Sequence, residues 1–209
     1  MKMAGSCGRV RKTGAVLVAA GLSSRMGDFK PMLPFGESTI SRHLVSLLKQ
    51  MDVSPVIVVT GYRAEELEAH LADTGARFVR NERYQETQMF DSVKIGIQAA
   101  AGSGECEQIM ILPMDAPAIC ADTIRRVRSA AGSLVRPVYR KKPGHPIRLS
   151  IRAARVICGY KGGGGLRGAM ENCGIPIVNL EVGDEWVCRD VDTKEEYEEL
   201  MQRGNGIAC

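Results

Sequence analysis

The chain has 209 residues, a formal net charge of +4, and an ordinary globular composition of 44% hydrophobic and 25% charged residues. No apolar run approaches the ~20 residues that a membrane-spanning helix needs, so we expect no membrane attachment. Aromatic residues make up only 5% of the chain and no basic stripe is interleaved with them, which disfavours nucleic-acid binding.

The length suits a single domain, which we place at residues 13–209. Residues 1–12 contain cations but lack the apolar core of a signal peptide, so we expect a disordered leader rather than a secretory signal. The seven cysteines are odd in number and form no C-x-x-C pair, so we expect reduced thiols and a cytoplasmic protein.

The first predicted element is a buried strand over residues 15–20, which ends at Gly21. A loop of small and hydroxyl side chains follows and carries two cations, Arg25 and Lys30. Backbone N–H groups on such a loop, with Arg and Lys beside them, suit a polyphosphate. The loop lacks the Gly-Lys-Ser/Thr of a P-loop and the Gly-x-Gly-x-x-Gly of a dinucleotide fingerprint. The sequence therefore predicts a third kind of phosphate-binding loop.

Helices and strands alternate beyond this loop. The apolar spacing predicts helices over 38–50, 64–72, 91–101 and 123–131, and strands over 55–60, 76–80, 108–112 and 134–139. This order predicts an α/β fold, a three-layer doubly wound, mostly parallel sheet of the Rossmann-like kind. Ligands of such sheets bind at the carboxyl ends of the strands, where Gly21, Gly61, Asn81 and Asp115 are expected. We interpret the shorter pieces after residue 140 as an elaboration of the same domain.

Three aspartates are candidate metal ligands. Asp115 lies just beyond an apolar strand, and Mg²⁺ prefers few carboxylates together with phosphate oxygens and water. Asp190 and Asp192 fall on one face if residues 187–191 form a strand. Each also has a simpler interpretation, Asp115 as a turn residue and Asp192 or Thr193 as the cap of the helix that follows.

The tripeptide Gly144-His145-Pro146 follows three cations, Arg140-Lys141-Lys142. A lone histidine is more often structural than functional. Beside a phosphate-transfer site, however, a constrained histidine could orient a substrate. Both interpretations stay open from the tripeptide alone.

Together these segments resemble the MobA-like nucleotidyltransferases, and most closely their molybdenum cofactor cytidylyltransferase branch. The resemblance covers residues 14–201, in the expected order. Its matching segments are Leu17-Val-Ala-Ala-Gly-Leu-Ser-Ser-Arg-Met-Gly with Lys30, Met89-Phe-Asp-Ser-Val-Lys-Ile-Gly, Leu112–Pro117, Gly144–Pro146 and Asp190-Val-Asp-Thr. The chain departs from the family at Asp28, which adds a negative charge near the expected phosphates, and at Met114-Asp-Ala-Pro, where the family often has Gly-Asp-Gln-Pro.

The resemblance implies a Mg²⁺-dependent transfer of a nucleoside monophosphate, CMP from CTP, to a phosphate-bearing acceptor, molybdopterin or the molybdenum cofactor, with release of pyrophosphate. A molybdenum hydroxylase is the implied partner protein. The implied catalytic residues are Arg25, Lys30 and Asp115; the metal ligands are Asp115, Asp190 and Asp192; the acceptor-side residues are Gly144, His145 and Pro146. The implied nucleotide-binding residues are Ala19, Ala20, Gly21, Leu22, Ser23, Ser24, Arg25, Lys30, Thr60, Gly61, Asn81 and Ser92.

Three alternatives remain open. A sugar- or alcohol-phosphate nucleotidyltransferase shares the loop and the metal carboxylates. Guanylyl transfer to the molybdenum cofactor is a second alternative, although the loop reads Ala-Ala-Gly rather than the Ala-Gly-Gly of that branch. The third is a non-catalytic nucleotide or cofactor chaperone, for which we expect the loss of a metal carboxylate or of Lys30, and both are present.

Overall fold

The computed structural model describes residues 11–21 and 28–204. Its strands are β1 (Thr13–Val18), β2 (Pro34–Phe35), β3 (Ser38–Thr39), β4 (Val53–Thr60), β5 (Arg77–Arg80), β6 (Gln108–Pro113), β7 (Leu134–Tyr139), β8 (Lys142–Pro143), β9 (Ile147–Ser150) and β10 (Ile177–Glu181). Its α-helices are α1 (Ile40–Gln50), α2 (Ala64–Leu71), α3 (Met89–Gly102), α4 (Ala121–Ser129), α5 (Ile151–Cys158), α6 (Gly165–Asn172) and α7 (Lys194–Gly204). Short 3₁₀ helices cover Lys30–Met32, Ala72–Thr74 and Glu185–Cys188.

The main sheet has the strand order β10-β7-β9-β6-β1-β4-β5, and β8 pairs with β7. The pairs β1–β4, β1–β6, β4–β5 and β7–β10 are parallel. Strand β9 runs antiparallel to both β6 and β7. The predicted α/β fold with a mostly parallel sheet is therefore confirmed, and the carboxyl ends of β1, β4, β5 and β6 share one edge.

Strand β1 is buried on both sides, and its alternating side chains enter two separate cores. Ala15 and Leu17 pack into the first core with residues of α1, α2 and α4. Val16 and Val18 pack into the second core with residues of α3, α5 and α6. This alternation follows from the two-residue period of a strand, and it produces the three layers of helix, sheet and helix.

The structure corrects the prediction in the last third of the chain. Residues 187–191 are not a strand, because the 3₁₀ helix Glu185–Cys188 is followed by irregular backbone. The short pieces after residue 140 include three strands of the main sheet, β8, β9 and β10. The predicted leader lies almost wholly outside the described residues. No helix within 11–21 and 28–204 is long and apolar enough to cross a membrane.

The cysteines only partly follow the expectation of reduced thiols. Cys106, Cys158, Cys173 and Cys188 are free thiols. Cys120 is disulfide-bonded, which departs from the expectation.

A buried arginine that the sequence pattern does not reveal ties β9 to the end of α4. The Arg148 side chain is fully buried and donates to the carbonyls of Val127, Ala130 and Gly132 and to Gln108 Oε1 at 2.7–3.1 Å. Burial lowers the pKa of Arg148 to about 10, so the guanidinium stays protonated at neutral pH. Its hydrogen bonds therefore compensate a buried charge.

Replacing this residue tests that role. We expect Arg148→Met to lower the free energy of unfolding by about 3 kcal/mol, because several buried acceptors lose their donor at once. The matched control is Arg152→Met on α5, where the side chain is exposed, with an expected change within about 0.5 kcal/mol. Denaturant unfolding measures both values, and equal stabilities for the two variants would contradict the assigned role.

Candidate active site

The site forms where β1 and β6 end side by side. The two strands are parallel and in register from Thr13–Gln108 to Val18–Pro113. The backbone N–H of Met114 donates to Val18 O at 3.0 Å, and that of Ala19 donates to Val59 O at 2.9 Å. The sheet hydrogen bonding therefore continues past the strand ends and holds the start of the glycine loop beside the turn that carries Asp115.

Lys30 is the cation of the loop that the structure describes, and it is held by an ion pair. It begins the 3₁₀ helix Lys30–Met32 and is only 9% exposed. Its Nζ donates to Asp192 Oδ1 at 2.5 Å. Because both side chains are partly shielded from water, this pair is stronger than a surface ion pair. It connects the loop after β1 to the segment before α7.

Asp115 is joined to the same segment through its main chain and has an unsatisfied side chain. Its carbonyl oxygen accepts from the backbone N–H of Val191 at 2.8 Å. Its Oδ1 is buried and has no hydrogen-bond partner among the described residues. Burial and the neighbouring Asp190 and Asp192 carboxylates raise the pKa of Asp115 to about 6, against the opposing Lys30 cation. A carboxylate so placed favours a bound cation.

The other two carboxylates belong to the segment just before α7. Burial, with a smaller contribution from Asp192, raises the pKa of Asp190, while His145 opposes the shift. Thr193 Oγ1 accepts from Glu196 N at 3.2 Å, and Glu196 Oε2 accepts from the backbone N–H of Asp192 and Thr193 at 2.7 and 2.9 Å. This capping box confirms Thr193 as the helix cap, so the carboxylate of Asp192 pairs with Lys30 instead.

The three aspartates fit a metal that uses few protein ligands. Within the described residues no group of three or more His, Cys, Asp or Glu side chains is already arranged to hold an ion. Mg²⁺ needs no such cage, because it is usually bound by one or two carboxylates and completes its shell with substrate phosphates and water. Such an ion would give the buried Oδ1 of Asp115 the partner that it lacks among the described residues.

The tripeptide Gly144-His145-Pro146 lies between β8 and β9 and packs against the 3₁₀ helix Glu185–Cys188. A Cβ at Gly144 would come within 2.0 Å of Val187 O. The backbone N–H of His145 donates to the same oxygen at 2.7 Å. The His145 Nδ1 is buried without a partner among the described residues, and burial lowers its pKa despite the opposing Asp190 carboxylate. The structure thus brings the His145 imidazole close enough to Asp190 for the two groups to interact.

This close contact predicts a large effect of a small substitution. We expect Gly144→Ala to lower kcat by about a hundredfold, because the added methyl must push Val187 away and shift the Asp190–Asp192 segment that follows it. Gly183→Ala is the control, since a Cβ there meets nothing within 4 Å. Steady-state turnover checks both variants, and unchanged turnover of Gly144→Ala would show that the contact does not position the aspartates.

On the nucleotide side, the predicted side chains are engaged within the protein. Thr60 Oγ1 donates to Glu68 Oε1 at 2.8 Å, and Asn81 Nδ2 donates to Ser92 Oγ at 2.9 Å. Thr60, Asn81 and Ser92 are each at most 3% exposed. Thr60 ends β4, Asn81 follows β5 and Ser92 lies in the first turns of α3. Their direct contact with a nucleotide stays a prediction.

An aromatic cluster that the sequence reasoning missed lies at the same strand ends. Phe29 and Tyr62 meet edge to face with ring centroids 5.8 Å apart, and Tyr62 and Tyr84 lie 6.5 Å apart. A Cβ at Gly61 would come within 2.9 Å of Tyr84 Cβ, so this glycine permits the close packing. The available sequence signal was the position of Tyr62 directly after the glycine that ends β4.

Part of the predicted loop lies outside the described residues. Leu22, Ser23, Ser24 and Arg25 lie outside the described residues, and their roles stay predictions. Beyond them, the Asp28 carboxylate lies 4.0 Å from Lys194 Nζ on α7, so the negative charge that departs from the family pattern has a cationic neighbour.

Two cavities differ in their relation to this site. A cavity of about 350 Å³ is lined by residues of the segment before α7, including Asp190 and Asp192. A larger groove of about 1090 Å³ lies between α1, the β2–β3 hairpin and residues 118–121, and none of the predicted site residues line it. The smaller cavity therefore adjoins two of the candidate aspartates, but neither Lys30 nor Asp115 lines it.

Comparison with known proteins identifies the family. Residues 15–176 match the MobA-like NTP transferase domain. The chain belongs to this nucleotidyltransferase family. It is 33% identical over 137 residues to the molybdenum cofactor cytidylyltransferase of Escherichia coli, covering 65% of this chain and 68% of that one. It is also 31% identical over 122 residues to the bifunctional protein GlmU of Francisella philomiragia, but this match spans only 26% of that longer protein.

Solved structures confirm the fold of the family. A nucleotidyl transferase from Methanothermobacter superposes with a TM-score of 0.80 at 24% identity, over 93% of this chain and 98% of that one. Rv0371c from Mycobacterium tuberculosis, solved in complex with manganese, gives 0.73 at 23% identity over 92% and 98%. The synthetase of CMP-2-keto-3-deoxy-manno-octonic acid, solved with CTP, gives 0.72 at 15% identity over 91% and 97%. The fold class predicted from the sequence is therefore that of known nucleotidyltransferases.

Proposed function

We propose that this nucleotidyltransferase transfers CMP from CTP to the phosphate of molybdopterin or the molybdenum cofactor and releases pyrophosphate. The observation that carries the proposal is the convergence of Asp115, with its unsatisfied Oδ1, and the Lys30–Asp192 ion pair at the end of β1 and β6. The choice of CTP and acceptor is supported by the 33% identity to a molybdenum cofactor cytidylyltransferase.

The reaction is a substitution at the α-phosphorus of the triphosphate. An oxygen of the acceptor phosphate forms a bond to the α-phosphorus, and the bond from that phosphorus to the oxygen bridging to the β-phosphate breaks. Pyrophosphate leaves with the electron pair. Such reactions depend on alignment and on neutralisation of charge more than on covalent help from the protein.

In the proposal, the main chain of residues 19–21 and the loop beyond it bind the triphosphate. Lys30 and Arg25 stabilise the negative charge that develops on the leaving pyrophosphate. The buried position of Lys30 and its ion pair keep its cation oriented before substrate arrives. His145, whose pKa is lowered by burial against the opposing Asp190 carboxylate, faces the acceptor.

Asp115, with Asp190 or Asp192, would hold the metal. Mg²⁺ bound there would neutralise charge on the triphosphate. The pKa of Asp115, raised to about 6, means that the carboxylate is mostly ionised at neutral pH and available as a ligand. The manganese complex of Rv0371c supports a divalent-cation site in a protein of this fold.

Pyrophosphate release tests the proposal. The protein is incubated with Mg²⁺, molybdopterin and each of the four nucleoside triphosphates in turn. We expect release with CTP that depends on the acceptor. Release with GTP instead would support guanylyl transfer. Release that requires a sugar phosphate in place of molybdopterin would support a sugar-phosphate nucleotidyltransferase, and no release under any combination would support a cofactor chaperone. A cytoplasmic location and delivery to a molybdenum hydroxylase follow from the proposal and are tested separately.

A further inference from the structure

A short cationic hairpin stands at the acceptor side of the site, and neither the family match nor the proposed function assigns it a role. Strands β7 and β8 pair as Tyr139–Lys142 and Val138–Pro143, which leaves a two-residue turn of Arg140 and Lys141. Arg140, Lys141 and Lys142 are all exposed. Within residues 11–21 and 28–204 no ion pair joins any of the three to a carboxylate. The Arg140 guanidinium lies over the Tyr139 ring at 5.2 Å.

The turn has an unfavourable sequence for its conformation. Arg140 and Lys141 have φ values of 47° and 67°, in the left-handed region. Positive φ at both central residues is the pattern of a type I′ turn, which strongly prefers Asn-Gly. A side chain with a Cβ costs about 1 kcal/mol or more in that region. Two adjacent cationic residues therefore adopt a strained backbone conformation. Such strain is more common at binding sites than elsewhere in proteins.

The topology places this turn at the edge that carries the site. Strand β7 runs parallel to β10 and, through antiparallel β9, in the same direction as β6, so its carboxyl end lies on the same edge as Asp115. Only β9 separates β7 from β6, so the two strands are about 10 Å apart. The hairpin continues directly into Gly144, whose N–H donates to Pro137 O at 2.9 Å. Strands β4 and β5, whose ends carry the predicted nucleotide-binding residues Thr60 and Asn81, lie on the other side of β1.

We propose that the hairpin turn Arg140-Lys141, with Lys142, binds an anionic group of the acceptor at the end away from its reacting phosphate. This inference rests on the proposed function. In the proposed reaction the reacting phosphate lies near Asp115 and Lys30, at the end of β6. An acceptor that extends from there along the sheet edge, past β9, reaches the end of β7 after about 10 Å. Cations at that distance select acceptors that carry a second negative charge, such as an ene-dithiolate or its metal complex, over simple phosphate monoesters.

The strained turn allows a test in which loss of binding is not caused by loss of stability. Arg140→Asn combined with Lys141→Gly gives the turn its preferred sequence and removes two cations at once, so the variant is expected to unfold at a higher temperature than the wild type. We expect the KM for molybdopterin to rise about tenfold while the KM for CTP and kcat stay within about twofold. The wild-type KM for molybdopterin is expected to rise with salt, and the variant KM to depend on salt less.

The matched control removes two cations from the opposite edge. Strand β9 ends where β6 begins, so α5 starts at the amino edge of the parallel strands, and it carries exposed Arg152 and Arg155. Arg152→Gln with Arg155→Gln is expected to leave both KM values unchanged. An unchanged molybdopterin KM in the stabilised hairpin variant would overturn the proposal. It would mean that the cations contact only solvent or a protein partner. Equal rises in the hairpin and control variants would also overturn it, because they would reflect net charge alone.

Failure of the hairpin proposal can be distinguished from failure of the proposed function. Wild-type protein that releases no pyrophosphate from CTP with molybdopterin contradicts the proposed function before any variant is made. Wild-type protein that does so, together with a hairpin variant of unchanged KM, contradicts only the role of the hairpin.

Discussion

Asp115→Asn will abolish most of the activity and at the same time make the protein more stable at neutral pH. We expect kcat/KM to fall about a thousandfold, because the variant lacks the carboxylate that helps to place the metal. We expect the free energy of unfolding, measured in the presence of a chelator at pH 8, to increase by about 2 kcal/mol, because a buried and unsatisfied charge is removed.

The pH dependence of that stability difference follows from the pKa of Asp115. The pKa is about 6 in the folded protein and about 4 in an unfolded chain. Between these pH values the folded protein binds more protons than the unfolded chain, so wild-type stability falls as pH rises from about 4 to about 6. Asparagine removes this loss. The variant and the wild type should therefore be similarly stable near pH 4 and differ fully above pH 6.

A matched substitution separates this effect from the general loss of a carboxylate. Asp122 on α4 is exposed and paired with Arg125 at 2.7 Å, so Asp122→Asn should change stability by less than about 0.5 kcal/mol and leave turnover unchanged. If Asp115→Asn were destabilising at pH 8, Asp115 would not be a buried carboxylate that lowers stability when ionised. If the variant were fully active, Asp115 would not be a metal ligand.

Lys30→Met will lower kcat by about a hundredfold or more. Methionine fills a similar volume, so the main losses are the cation beside the phosphates and the ion pair that orients Asp192. Because the Lys30 cation lowers the pKa of Asp115, its removal should also shift the acidic limb of the pH–rate profile to higher pH. Both quantities are read from initial rates measured across a pH series.

The control for this substitution is Lys194→Met. The Lys194 side chain is exposed, and its distance to the Asp28 carboxylate is 4.0 Å, so its pair contributes little. A Lys30→Met variant that kept wild-type kcat and pH profile, like the control, would remove Lys30 from the mechanism.

The sequence predicted the first two thirds of the fold well, because strong two-residue and 3.6-residue periods and clear caps mark its elements. The helix predicted over 38–50 is α1, capped by Thr39, whose Oγ1 accepts from Arg42 N at 3.4 Å. Helix α3 begins two residues earlier than predicted, because Gln88 and Asp91 form its capping box. The edge strand β10 and the internal antiparallel strand β9 escaped prediction, since such short strands depend on pairing with distant segments rather than on local pattern.

The candidate site was predictable as a set of residues but not as a network. Carboxylates and a glycine loop at strand ends point to one edge of a parallel sheet, and the structure brings Lys30, Asp115 and Asp192 there. The ion pair between Lys30 and Asp192 joins residues 162 positions apart, a distance over which no local pattern carries information. Asp190 and Asp192 were expected on one face only if residues 187–191 formed a strand, and the irregular backbone there does not meet that condition.

The most direct measurement of the central claim follows the α-phosphate of CTP. The protein is incubated with Mg²⁺, molybdopterin and CTP radiolabelled at the α-phosphate, and in a parallel reaction with CTP labelled at the γ-phosphate. We predict that the α-label becomes attached to the acceptor, that the γ-label appears only in pyrophosphate, and that Asp115→Asn prevents both. Transfer of the γ-label to the acceptor, or attachment of the α-label at an equal rate in the Asp115→Asn variant, would contradict the account.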